Sequence, residues 1–290
     1  MATVATTAIL LASLGMTLLS VCAADAADPT TGPPRGALVV YGGGPGVKPI
    51  FRRFVELAGG EDAKIVIVPT AASSRPDFDY ENGRWVKLAR ETLGLPNVVV
   101  LHTHDRKEAD TEEFVRPIRQ ADGVWFGGGR QWRFADAYLG TLAEREFHRV
   151  LERGGAIGGT SAGATIQGSF LARGDTAGNR KMIGDHTAGF GFIRNCAIDQ
   201  HVLARERQLD LIEIITAYPH LLGIGLDEGT AIIVRGDEVE VVGRSSVLIY
   251  DQSSWEADTP DDEKYLTLSA GDRYDMRARR RLPSAPSERP

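Results

Sequence analysis

Cysteine is scarce in this chain, with Cys22 and Cys196 the only two in 290 residues. Cys22 falls in a segment read below as removable, so Cys196 is left without a partner. That excludes an intrachain disulfide framework and makes Cys196 most simply a small buried apolar residue. Histidine is sparse as well, six in all. His102 and His104 lie close together in HTHD but lack the further clustered ligands a metal centre needs, so no metal is expected. An excess of basic charge is also missing: 33 Lys and Arg against 39 Asp and Glu leave a net charge of −6, which speaks against nucleic acid as a partner. No internal repeat is visible. What remains is a chain 42% hydrophobic and 25% charged, long enough for one large domain with a full core.

The ends read differently from the middle. Residues 8–21 form an apolar run too short for a comfortable membrane span, and Ala24-Asp25-Ala26 supplies the small residues a signal peptidase reads. Residues 1–26 are therefore read as a signal peptide and the protein as exported, although no Lys or Arg precedes the run. Acylation at Cys22, which would make a lipoprotein, and an uncleaved anchor are the two alternatives; Val21 suits lipidation poorly. Residues 27–35 read as a Pro/Thr linker, 36–270 as a single α/β domain, and 271–290 as a basic, Pro/Ser-rich tail.

Within the domain, short apolar runs at 36–44, 64–72, 97–104 and 123–129 end in Gly, Pro, Thr or His. Runs of this kind suit strands buried on both faces of a parallel sheet. Helix-like stretches at 47–60, 80–94, 112–120 and 141–155 separate them. The alternation predicts an α/β fold, a mostly parallel sheet with helices on both faces. Residues 223–251 carry Gly-Asp and Gly-Arg turns between short strands and predict an antiparallel C-terminal extension.

Ligands in such sheets bind beyond the carboxyl ends of the strands, where the glycines at 42–44 and 127–129 fall. The stretch GGAIGGTSAGATIQG, residues 154–168, places Ser161 there too. Gly159-Thr160-Ser161-Ala162-Gly163 fits G-x-S-x-G, a weak pattern alone in a chain with 33 glycines. Its setting strengthens it: a short strand precedes, and a helix is expected over 162–173, the context of a nucleophile elbow. Small residues let strand end and helix start approach closely. The N–H of Ala162 can then stabilise an oxyanion, with Gly128 in the neighbouring glycine loop as second donor. The bland alternative is glycine serving only tight helix–sheet packing. A serine needs a base, and His201, at the end of the apolar run in AIDQHV, is placed to face it.

GGTSAGA (158–164), IDQHVLARER (198–207) and GIGLDEGTAIIV (223–234), in this order, resemble the cyanophycinase branch of the serine peptidase family that includes peptidase E. The similarity covers roughly residues 36–250. It implies a fold related to class I glutamine amidotransferases, a Ser–His–acid triad with Ser161 and His201, and hydrolysis of peptide or isopeptide bonds at aspartate. No cofactor is implied, the partner is an aspartate-rich peptide, and relatives of this kind are often homodimers. Gln131, Asp199, Gln200, Arg205 and Arg207 match substrate-pocket positions of the family. Arginine suits this role because it holds a carboxylate through two parallel bonds. Read without the resemblance, Arg205 and Arg207 fit a solvated helix face, since LARERQLDLIE alternates its charges.

The chain departs from the pattern in two places. Asp210 stands where the family has a third arginine, and the loop GGRQWR brings Arg130, Trp132 and Arg133 where a glycine-Asp-Gln run is usual. Both put cyanophycin itself in doubt as substrate. For the triad acid, Asp175 is the first candidate and Asp185 the second, while Asp199 is expected at substrate or loop and Glu228 is expected to orient backbone. Two other functions remain open on sequence: an esterase or other acyl hydrolase with the same elbow, and a non-catalytic binder of acidic peptides.

Overall fold

The computed structural model describes residues 31–283. The signal-peptide reading of residues 1–26 and the end of the expected tail, 284–290, lie outside the described residues. The elements run β1 (Ala37–Tyr41), α1 (Val47–Leu57), β2 (Ile65–Val68), α2 (Arg84–Lys87), β3 (Val98–Val100), α3 (Arg106–Ala109), α4 (Glu112–Gln120) and β4 (Gly123–Phe126). Next come α5 (Trp132–Tyr138), α6 (Leu142–Glu152), β5 (Ala156–Thr160), α7 (Ala162–Thr165), β6 (Gly168–Phe170), β7 (Ile193–Gln200) and α8 (Leu211–Ala217). The chain closes with β8 (Leu222–Leu226), β9 (Thr230–Arg235), β10 (Glu238–Gly243), β11 (Ser246–Tyr250), β12 (Leu266–Ser269), β13 (Arg273–Asp275) and β14 (Arg280–Leu282).

These strands form two sheets. The larger has the order β14-β13-β10-β9-β1-β5-β4-β2-β3, and its half from β1 to β3 is parallel throughout. The other half, β9 to β14, is antiparallel. The smaller sheet runs β12-β11-β8-β7-β6, parallel across β6, β7 and β8. The α/β class and the antiparallel C-terminal extension match the expectation; the division into two sheets is new.

Apolar spacing explains the layers. In α1 the buried side chains are Val47, Ile50, Phe51, Phe54 and Val55, a single stripe at helical period. That stripe covers one face of the large sheet, where the rings of Phe51 and Phe54 lie 4.8 and 5.2 Å from that of fully buried Trp125. Each such phenyl group contributes about 1.5–3 kcal/mol by leaving water. The opposite face holds Phe126, Phe134 and Phe147 in one cluster with Ile198 and Leu226 of the small sheet. The two sheets therefore share a core.

Three local expectations are corrected. The helix over 162–173 is only the turn α7. Gln167 Nε2 bonds back to the Gly163 carbonyl at 3.0 Å, and the chain leaves as β6 to pair with β7. The described part of the expected tail, residues 271–283, is not simply a tail: β13 pairs with β10, β14 with β13, and Arg273 binds Glu238. The linker docks as well, since Arg194 N donates to the Thr31 carbonyl at 2.9 Å and Gly236 N to that of Pro33 at 3.1 Å.

Candidate functional site

Parallel register sets the site. Tyr41 of β1 lies beside Thr160 of β5, and Phe126 of β4 beside Gly159. Residues following these strands therefore gather at one sheet edge. There Ser161 takes φ 53° and ψ −114°, a left-handed backbone that costs a non-glycine residue about 1–3 kcal/mol. Its N–H is tied to the Tyr41 carbonyl at 3.0 Å, and its carbonyl accepts from Ala164 and Thr165. The small neighbours are obligatory. A Cβ on Gly159 would lie 2.1 Å from the Gly163 carbonyl oxygen, and one on Gly163 would lie 2.2 Å from that of Phe126.

The small sheet delivers the base. His201 follows β7 directly, adopts φ 58°, and is 6% exposed. Its Nε2 lies 3.0 Å from Ser161 Oγ. On the other side of the ring, Nδ1 lies 2.6 Å from Glu228 Oε1. β8 runs parallel to β7 with Leu226 opposite Gln200, so residues just past the two strands meet. The β1 glycines close over this pair: a Cβ at Gly43 would lie 2.5 Å from His201 Cε1. Burial lowers the His201 pKa below its ordinary value, and the Arg205 charge adds to the effect against the opposing pull of Glu228. The imidazole is thus neutral near pH 7, the form that accepts a proton.

Neighbouring Asp227 builds the frame. It accepts from Leu203 N at 3.1 Å, Ala204 N at 2.8 Å and Ser245 Oγ at 2.6 Å. Burial works to raise its carboxyl, and these bonds together outweigh burial and hold it ionised.

The expected residues are placed as follows. Ala162 opens α7, where its N–H has no acceptor within the helix, and Gly128 sits against Ser161, its built Cβ only 3.4 Å from the serine Cβ. Gln200 directs Oε1 toward Ser161 Oγ at 3.4 Å. Arg205 lines a pocket of about 440 Å³ with Arg130, Arg133, Asn179 and Gln200, opening at Ser161. Arg207 stands back from that pocket. Its charge interacts with Arg173, Asp199 and Asp210, and its buried Nη1 has no hydrogen-bond partner among the described residues. Neither arginine lies on a helix, because α8 begins only at Leu211.

Three expected roles are corrected. Asp175 does not reach His201: its carboxylate is engaged by Lys181 Nζ at 2.8 Å and Ala177 N at 2.8 Å. The second candidate, Asp185, is bound to Thr176 and His186. Glu228 occupies the position expected of them. Gln131 is not among the residues lining the Arg205 pocket; it is 1% exposed and donates Nε2 to the carbonyls of Ala172 and Arg173, both at 2.9 Å. Asp199 takes the loop alternative of its expected roles, both oxygens accepting from Arg173 at 2.8 Å each in a buried pair.

Sequence reasoning missed Glu228 as the partner of His201, although its signal was present: an acid just beyond the strand that neighbours β7. It also missed a second cleft of about 340 Å³ that opens at Ser161 and takes in Phe78, Trp85, Arg84 and His201. His102 stacks on Tyr80 at 3.6 Å, contacts Thr70 Oγ1 at 3.1 Å, and is kept neutral by burial first and His104 second, its pKa lowered to about 4. No group of three or more metal-binding side chains occurs among the described residues.

A serine on a strained strand–turn–helix bend, facing a neutral, carboxylate-held imidazole at the edge of an α/β sheet, defines the class of serine-type hydrolases. The comparisons narrow it: residues 38–242 match the model of peptidase family S51, and the chain belongs to that family as a serine-type peptidase. It is 33% identical over 225 residues to the cyanophycinase of Geminocystis herdmanii, covering 75% of this chain and 81% of that one. The cyanophycinase of Nostoc sp. is 32% identical over 252 residues, covering 81% and 83%. Among solved structures, a peptidase from an acI-B1 Actinobacterium superposes with a TM-score of 0.63 at 25% identity, covering 83% of this chain and 97% of that one.

Proposed function

We propose that this peptidase hydrolyses peptide or isopeptide bonds at aspartate through a Ser161–His201–Glu228 triad. The observation that carries the reading is the continuous chain of contacts, 3.0 Å from Ser161 Oγ to His201 Nε2 and 2.6 Å from Nδ1 to Glu228. Ser161 Oγ attacks the scissile carbonyl carbon while its proton passes to His201 Nε2. Glu228 accepts the Nδ1–H bond, fixes the tautomer and stabilises the imidazolium that forms. The N–H groups of Ala162 and Gly128 receive the developing oxyanion. As the C–N bond breaks, His201 returns the proton to the leaving amine. Water, deprotonated by the same nitrogen, then releases the acyl group from Ser161.

The preference for aspartate is supported by Arg130, Arg133 and Arg205, whose pocket has no carboxylate in its lining. Guanidinium groups so placed hold an acidic side chain in charge-assisted bonds. The proposal also keeps export, which rests on residues 8–26 and is checked by N-terminal sequencing of protein recovered outside the cytoplasm.

The central test is Ser161→Ala assayed by mass spectrometry on isoaspartyl, β-Asp-Arg and ordinary Asp peptides, with matching esters. Loss of hydrolysis by several orders of magnitude, with an unchanged circular dichroism spectrum, is expected. Unchanged turnover refutes the assignment. Ester cleavage without peptide cleavage would favour the acyl-hydrolase alternative, and binding without any turnover the acidic-peptide binder.

A further inference from the structure

Two pockets open at Ser161, and they differ in chemistry. One is the basic pocket of Arg130, Arg133 and Arg205. The other is the cleft walled by Pro69, Phe78 and Trp85, with Arg84 on its rim and no carboxylate in its lining. Both reach Ser161, yet only the second reaches His201.

That asymmetry gives the cleavage a direction. His201 must hand a proton to the departing nitrogen, so the leaving amine has to lie on the imidazole side of the serine. The acyl half then lies on the side of the basic pocket. We infer that the residue released as the amine is apolar or aromatic, seated against Phe78 and Trp85, and that an arginine-bearing amine is disfavoured. This rests on the peptidase reading above and names its leaving-group class.

The walls support it physically. Phe78 is 39% exposed, a large apolar surface left open at the mouth, and it packs edge-on against Tyr80 with centroids 4.7 Å apart. Trp85 stacks on Phe51 at 6.4 Å, which anchors its indole to the core beneath α1. Covering such rings with an apolar side chain removes both from water. Arg84 lies over the Trp85 ring at 5.1 Å. Its charge repels a basic leaving group, and the cleft offers no acid to offset that repulsion.

The test uses the full chain and two series of dipeptides, α- and β-linked, with aspartate first and Phe, Leu or Arg second. The measured quantity is kcat/KM. The inference expects Phe and Leu to exceed Arg by about tenfold or more. Phe78→Ser should cut the Phe dipeptide through KM and leave kcat nearly unchanged, and Arg84→Glu should raise the Arg dipeptide and narrow the gap. Arginine cleaved as well as phenylalanine, or a ranking indifferent to both substitutions, overturns the inference while leaving the peptidase reading intact. Cleavage of no aspartyl dipeptide in either series overturns both.

Discussion

Glu228 meets His201 through one contact of 2.6 Å, so a single substitution reads its role. Glu228→Gln keeps the size but presents an amide that can favour the wrong imidazole tautomer, and kcat should fall on the order of 10²–10⁴-fold. Asp175→Asn, by contrast, weakens contacts with Lys181 and Ala177 N that do not involve His201, and should leave kcat within about threefold. Steady-state kinetics on the same peptide checks both; the reverse ranking would restore Asp175 to the triad. The imidazole also sets a pH limb. Turnover requires neutral His201, so the rate is full above its pKa and is lost as pH falls through it. Burial and Arg205 lower that pKa, so the acid limb should sit below the usual imidazole range. Arg205→Ala removes one lowering influence and should move the limb upward, which a kcat/KM–pH profile detects.

Elements carry the next level of constraint. At the β5–α7 bend, Gly163→Ala would press a methyl against the Phe126 carbonyl at 2.2 Å. Since the obstructing oxygen belongs to the backbone and cannot swing aside, the bend must open, and activity should disappear with Tm lowered in a thermal melt. Between the β6–β7 segment and β7 itself, Arg173 and Asp199 are buried together. Arg173→Met should cost about 3–5 kcal/mol by stranding a carboxylate, and Arg173→Met with Asp199→Leu should recover much of it. Denaturant melts of the two variants measure the difference. The parallel strands β1 to β5 were legible because each is a short apolar run closed by glycine or a turn residue. The helix after Ser161 was not, because Gln167 turns the chain through a side-chain bond that local propensity does not encode. Gln131 was misread for a related reason. Its residue type suits a pocket, and only tertiary contacts turn it inward to brace the Ala172–Arg173 segment.

For the molecule as a whole, β13 and β14 extend the large sheet beyond β10 and end it in a short, basic edge strand. Ending the chain at residue 272 would remove β13 and β14 and leave β10 as a bare edge. Such an edge pairs with other chains, so the truncated protein should self-associate in light scattering while the full chain does not gain mass by this route. Sequence missed this docking because residues 271–290 are rich in charge and turn formers, and strand pairing of short segments depends on the partner edge.

The hydroxyl follows a strand of one sheet and the imidazole–carboxylate couple follows strands of the other, across a shared apolar filling. The pair therefore acts as a gauge of how the two halves are seated. Warming that lets the layers drift by an ångström should silence turnover several degrees before the spectroscopic signal of either layer changes.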